Sequence, residues 1–203
     1  MKTILSPFIL WVTLLASAGP AGAVTIFAAT LDGSQENPAV ASTATGFGTF
    51  TLNDAGTALT YNATVFGIDF TGSQTPGTAD NLVAAHIHSP GARGVNGVVA
   101  FGFFGTPFNE TNPNDVVVTP FTTGVGGTVS GKWDALEGNN TTLTAQLGSI
   151  LAGNSYINFH TTMFSTGEIR GQIEVVPEPG TLMLLGSGLA GVAGAAWRRR
   201  RRG

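Results

Sequence analysis

The chain contains no cysteine, so disulfide scaffolds, cysteine-ligated zinc and thiol catalysis are all excluded. Charge is scarce as well: 10% of its 203 residues are Asp, Glu, Lys or Arg, against roughly 25% in an ordinary soluble domain. Basic residues are nearly missing from the body. Between Val24 and Val176 only Arg93, Lys132 and Arg170 stand against eleven acids, a formal −8. A body this acidic cannot track a phosphate backbone, which excludes nucleic acid as a partner. Helical periodicity is nearly absent there too, which excludes an all-helical fold. No Ser, His and acid arrangement carries a nucleophile-elbow signature, and Glu36 and Glu168 are the only carboxylates to consider for paired acid chemistry. The expectation is a non-enzymatic protein.

What is abundant is organised in three parts. Residues 1–23 read as a signal peptide: Lys2, an apolar run from Ile4 to Ala18, and a small-residue cleavage pattern at Ala21-Gly22-Ala23, with Ala21 and Ala23 flanking the glycine. Residues 24–176 form one β-domain. Residues 177–203 begin with Pro177-Glu178-Pro179, continue through an uncharged segment, 180–197, and finish in five arginines and a glycine. At 1.5 Å per residue the segment spans about 27 Å, enough for a transmembrane helix across a thin bilayer. The arginines would stay on the cytoplasmic side and leave the body outside. Gly186 to Gly191 spells G-x-G-x-x-G, but no strand precedes it and no acid follows, so dinucleotide binding is rejected.

Within the body, stretches rich in β-branched and aromatic residues alternate with Gly, Asn, Asp and Pro clusters. Strands are expected near Thr25–Leu31, Gly46–Leu52, Ala58–Phe66, Leu82–His88, Gly97–Phe103, Val116–Phe121, Thr128–Trp133, Tyr156–Thr161 and Glu168–Val175. Asn53-Asp54-Ala55-Gly56 has hairpin-turn chemistry. Only Leu143–Leu151 has helical spacing. The fold class is therefore all-β: a Greek-key, immunoglobulin-like or superoxide-dismutase-like β-sandwich of about 8–9 strands with one short helix.

Period-two alternation assigns faces. It puts His86 and His88 opposite Ile87, and Tyr156, Asn158 and His160 opposite Ile157 and Phe159. It also turns Glu168, Arg170, Gln172 and Glu174 outward from Ile169 and Ile173. All three histidines of the chain thus lie on polar strand faces. Two imidazoles at i and i+2 with a third nearby suit a divalent metal, copper or zinc. The plainer alternative is that they hydrogen-bond loops, His88 to the Ser89–Gly97 turn and His160 to its neighbours. The strand-borne His-x-His also occurs in copper-zinc superoxide dismutase, which needs more imidazoles and an aspartate, so dismutase activity is not expected. Arg170 is expected to pair with Glu36 or Glu168, or to contact His160. Gly91 to Gly97 reads as a wide turn rather than an anion cradle.

Several of these stretches together resemble a known family. Gln35-Glu36-Asn37-Pro38, Thr45-Gly46-Phe47-Gly48, Leu59-Thr60-Tyr61, Ala85-His86-Ile87-His88, Gly91 to Gly97, Leu151 to Thr161 and Gly167 to Gln172 follow the order of the CHRD domain, named from chordin. Asn37 departs from the usual aliphatic residue. The resemblance implies an extracellular β-sandwich-like module and no defined reaction. The Pro-Glu-Pro, apolar span and arginine cluster resemble the PEP-CTERM sorting signal. That resemblance implies an exosortase-type protease as partner, transient residence in the inner membrane, removal of the helix, and delivery to the cell surface. Two functions follow as expectations: a binding or structural module of the surface or exopolysaccharide matrix, with exopolysaccharide or another surface protein as partner, or a metal-binding or redox protein using His86, His88 and His160.

Overall fold

The computed structural model describes residues 24–105, 108–110, 115–177, 187–189, 197–198 and 201. The expected signal peptide, with Ala21 and Ala23, lies outside the described residues, as do Glu178, Pro179, most of 180–197 and half of the Gly186–Gly191 motif. Among the described residues no helix is long and apolar enough to cross a membrane.

Among the described residues of the body are ten strands and one α-helix. They are β1 (Thr25–Asp32), β2 (Thr45–Leu52), β3 (Ala58–Phe66), β4 (Leu82–His88), β5 (Val99–Phe104), β6 (Val117–Pro120), β7 (Gly126–Asp134), α1 (Leu143–Leu151), β8 (Tyr156–Thr161), β9 (Ile169–Gln172) and β10 (Glu174–Val175). The expected last strand breaks at Ile173, whose N–H leaves the ladder and donates to Ser155 O. β9 therefore pairs with β8 and β1, and β10 pairs with β1 alone.

The strands form one antiparallel sheet in the order β5-β4-β8-β9-β1-β2-β3-β7-β6. The sheet curls, so that its two halves meet through aromatic side chains. Phe101 of β5 stacks on Trp133 of β7 at 5.0 Å, and Phe103 lies 4.4 Å from Tyr61 of β3. Strict alternation drives this closure. β2 reads exposed-buried throughout, placing Phe50 and Leu52 in the core and Thr49 and Thr51 in solvent. Core and chemistry are thereby fixed to opposite faces of the same strands.

Local signals end the elements as their chemistry dictates. Gly56 at φ +67° closes the β2–β3 hairpin and donates to Asn53 O, while Asn53 Oδ1 accepts from Thr57 N. Thr142 caps α1 by accepting from Ala145 N at 3.2 Å, and Leu143 and Ile150 anchor the helix in the core.

The polar strand faces are a correction. Glu168, Arg170 and Gln172 do not face solvent: they are 5%, 1% and 4% exposed, and only Glu174 of that row is open. The segments Gly33–Ser42 and Ser89–Gly97 fold over β4, β8 and β9. Glu168, Arg170 and Gln172 each find a partner in these loops, at Ser42, Ala92 and Gly91, so they can be buried without losing their hydrogen bonds.

Candidate metal centre

Register places the polar residues of β4, β8 and β9 on a grid. His88 pairs with Tyr156 and Tyr156 with Gln172; His86 pairs with Asn158 and Asn158 with Arg170; Ala84 pairs with His160. Paired residues in an antiparallel ladder point to one side. The other side carries Ala85, Ile87, Ile157, Phe159 and Ile169 into the apolar core. Two register shifts in the β4–β5 ladder fall at Ala85/His86 and Ile87/His88, where irregular pairing re-aims side chains.

His86, His88 and His160 come together. One nitrogen from each lies within 4.8 Å of the others. All three residues are more than nine-tenths buried. Burial pushes the His86 imidazole down to about 3, helped by His160 and His88, and the His88 imidazole down to about 4. Burial also lowers His160. All three rings are neutral at pH 7.

Their tautomers follow from their partners. His88 Nδ1 sits 2.9 Å from Gly97 O and His160 Nδ1 sits 3.1 Å from Ser165 O. A carbonyl only accepts, so both Nδ1 atoms carry the proton and both Nε2 atoms are bare. His86 Nδ1 lies 3.1 Å from His160 Nε2 and must donate to it. That leaves His86 Nε2 bare as well. Among the described residues, His86 Nε2 and His88 Nε2 are buried with no hydrogen-bond partner. The loop hydrogen bonds expected as the plainer role for His88 and His160 are thus present, and they are also what fixes a ligating imidazole.

The rest of the layer holds these rings in place. His88 stacks on Tyr156 with centroids 4.6 Å apart, and Arg170 lies over the same tyrosine ring at 3.4 Å. Phe108 meets His86 edge-on at 5.7 Å. It can do so because Gly102, the β5 partner of His86, has no side chain: a Cβ there would sit 1.6 Å from Phe108 O.

Arg170 corrects a second expectation. It does not clamp a carboxylate. Its Nη2 donates to Ala92 O and Val95 O, both at 2.9 Å, and its Nη1 donates to Asn96 Oδ1. The guanidinium therefore pins the Gly91–Gly97 turn, which Gln172 also holds through Gly91 O. Glu168 accepts from Ser42 and Thr161 hydroxyls instead. Glu36 is pushed up to about 7 by burial, against the opposing pull of Arg170 and Asn158. Pro177 is described as an exposed residue after β10 and takes no part in this layer.

One site escaped the sequence reading. A cavity of about 560 Å³ that none of the imidazoles lines is bounded by Gly102, Asn109, Glu110, Asp134, Glu137 and Asn139 among others. Burial, with Asp115 and Glu137 nearby, pushes Glu110 up to about 8. Nothing in the spacing of these acids marks them, because their meeting depends on the curl of the sheet. The imidazole cluster, with its ligand atoms already converged, is the better candidate for chemistry.

No curated protein and no solved structure matches the chain. The PEP-CTERM protein-sorting motif matches residues 175–201. The CHRD domain matches residues 27–173, a span that holds every residue of the imidazole layer and every strand of the sheet except β10 and the first two residues of β1, and the chain belongs to the CHRD domain family.

Proposed function

We propose that this chain is an exported, surface-sorted, non-enzymatic β-module that holds a transition-metal ion, copper or zinc, on His86, His88 and His160. The observation that carries the reading is the pair of buried, bare Nε2 lone pairs beside a third imidazole whose tautomer is fixed. A buried acceptor without a donor costs about 1–3 kcal/mol, and an ion at this point would recover it. Neutral imidazoles are the preferred donors of copper and zinc. The PEP-CTERM motif supports export, an exosortase-type protease as partner, and delivery to the cell surface after passage through the inner membrane. We read the curled sheet as a flattened β-sandwich, since its halves face each other across Phe101–Trp133 and Phe103–Tyr61. Elemental analysis and calorimetric titration of the purified chain test the metal reading. One equivalent of bound ion, lost in His88→Ala, is expected; protein that retains no copper or zinc at micromolar concentrations would refute it.

A second reading has its own observation. The solvent face of β2, β3 and β7 carries a groove of about 490 Å³ lined mainly by uncharged polar residues, Thr49, Thr51, Thr60, Asn62 and Ser130, with Asp115 as its one carboxylate among the described residues. Hydroxyls and amides of this kind suit a polysaccharide chain, which supports attachment to exopolysaccharide or to another surface protein. Sedimentation with matrix polysaccharide should fall when Thr51 and Thr60 are replaced by glutamate, and unchanged sedimentation would exclude the groove.

A further inference from the structure

The donor set narrows the ion, and this inference rests on the metal-binding reading above. His86, His88 and His160 offer three neutral nitrogens and no anion. No carboxylate is among the converging ligand atoms. Glu168 is held by Ser42 and Thr161, and Glu36 lies beside Asn158 at Gly167, its Oε1 without a hydrogen-bond partner among the described residues. The formal charge stacked on this side of the site is positive: Arg170 over Tyr156, which itself stacks on His88. A dication would keep its full charge there. The cost of taking an ion out of water rises with the square of its charge, so a monocation pays about a quarter of what a dication does.

Coordination number points the same way. Zinc takes four ligands, and its fourth here would have to be water in a site whose ligands are 6%, 9% and 7% exposed, with Phe108 against His86. Copper(I) has a filled d shell and is satisfied by two or three nitrogens. Ligands about 2.0 Å from a trigonal ion lie about 3.5 Å apart. One nitrogen of each ring lies within 4.8 Å of the others, and ring rotation would close that separation. The His86 Nδ1–H bond to His160 would give way, because His160 Nε2 cannot accept a proton and ligate an ion together.

We propose that His86, His88 and His160 form a three-coordinate site selective for copper(I) over copper(II) and zinc(II). The test uses the full-length chain in detergent micelles. Copper(I) is titrated anaerobically against a bicinchoninate chelator, zinc(II) and copper(II) are titrated against competing dyes, and the copper-loaded protein is examined by X-ray absorption. Expected are one equivalent of copper(I), at least about 100-fold tighter than zinc(II), and a three-coordinate nitrogen shell. His88→Ala and His160→Ala should each lose the ion while the far-ultraviolet β spectrum is kept. If either variant fails to fold, the ratio of affinities and the coordination shell of the unmodified chain still decide. Zinc(II) or copper(II) bound as tightly as copper(I), or copper(I) retained by both folded variants, overturns this inference and leaves the broader metal reading to its own test. No ion bound at all overturns both.

Discussion

Replacing Arg170 by methionine keeps the length and most of the apolar stem of the side chain but deletes its head. In the native protein that head is 1% exposed, donates to Ala92 O and Val95 O at 2.9 Å each, and covers Tyr156 at 3.4 Å. Hydrogen bonds from a charged donor contribute about 1.5–3 kcal/mol each, and a partly desolvated cation over an aromatic ring contributes about 1–2 kcal/mol. Two terms reduce the sum. The guanidinium no longer has to be taken out of water, and Ala92 and Val95 sit in an exposed turn whose carbonyls can turn to solvent. The expected loss is about 2–4 kcal/mol, within the range for breaking a buried network. Urea unfolding measures it, and hydrogen exchange locates it. The Gly97 amide, which donates to Tyr156 Oη, should exchange faster as the turn lifts, while core amides of β3 should not. Arg170→Lys should recover less than half of the loss, since one ammonium cannot span two carbonyls and a ring face. A loss under about 1 kcal/mol at an unchanged denaturant slope would refute the claim that Arg170 holds the turn over the imidazoles.

Glu36 and Glu110 have folded-state carboxyl values of about 7 and about 8, both above the ordinary 4.5. Above that ordinary value the folded protein binds more protons than the unfolded chain, so their contribution is complete below about pH 4.5 and is lost as pH rises toward 8. Glu36→Gln should therefore raise stability at pH 8 by about 1–3 kcal/mol and leave it nearly unchanged at pH 4; equal effects at both values would sink the assignment. Gly102→Ala should cost about 1–3 kcal/mol or more by thermal unfolding, because its Cβ collides with the Phe108 backbone. The ring-current shift of His86 from Phe108 should disappear in the same variant, and a retained shift would contradict the contact.

Much of the frame was legible. Ala58–Phe66, Leu82–His88, Tyr156–Thr161 and helix Leu143–Leu151 have the bounds that strand patterning and helical spacing predict. In each, local sequence and tertiary environment agree. The break at Ile173 was not legible, since it comes from Ser155 on another element capturing one amide. Alternation also misled in one respect. It separates two faces of a strand but does not say which is wet. Glu168, Arg170 and Gln172 are buried like the isoleucines that alternate with them, because loops with no periodicity of their own close over the polar face. The contacts that reveal this join Ser42 to Glu168 and Ala92 to Arg170, across 126 and 78 residues.

The same physics separates the imidazole pair from the other orphans of this layer. Glu36 Oε1 and Asn158 Oδ1 are buried acceptors without donors, and both lie within 2.8 Å of the place where a Cβ on Gly167 would be. A single proton on Glu36, which its raised value allows at neutral pH, turns one of them into a donor for its neighbour. His86 Nε2 and His88 Nε2 have no such remedy. Their rings resist protonation down to about pH 3 and 4, so no proton joins them at neutral pH. Their Nδ1 hydrogens are already committed to His160 Nε2 and Gly97 O, so neither tautomer can flip without orphaning another atom. The acceptors that the fold leaves bare and cannot protonate belong to two of the three rings that converge, and a cation from outside is what such a pair lacks.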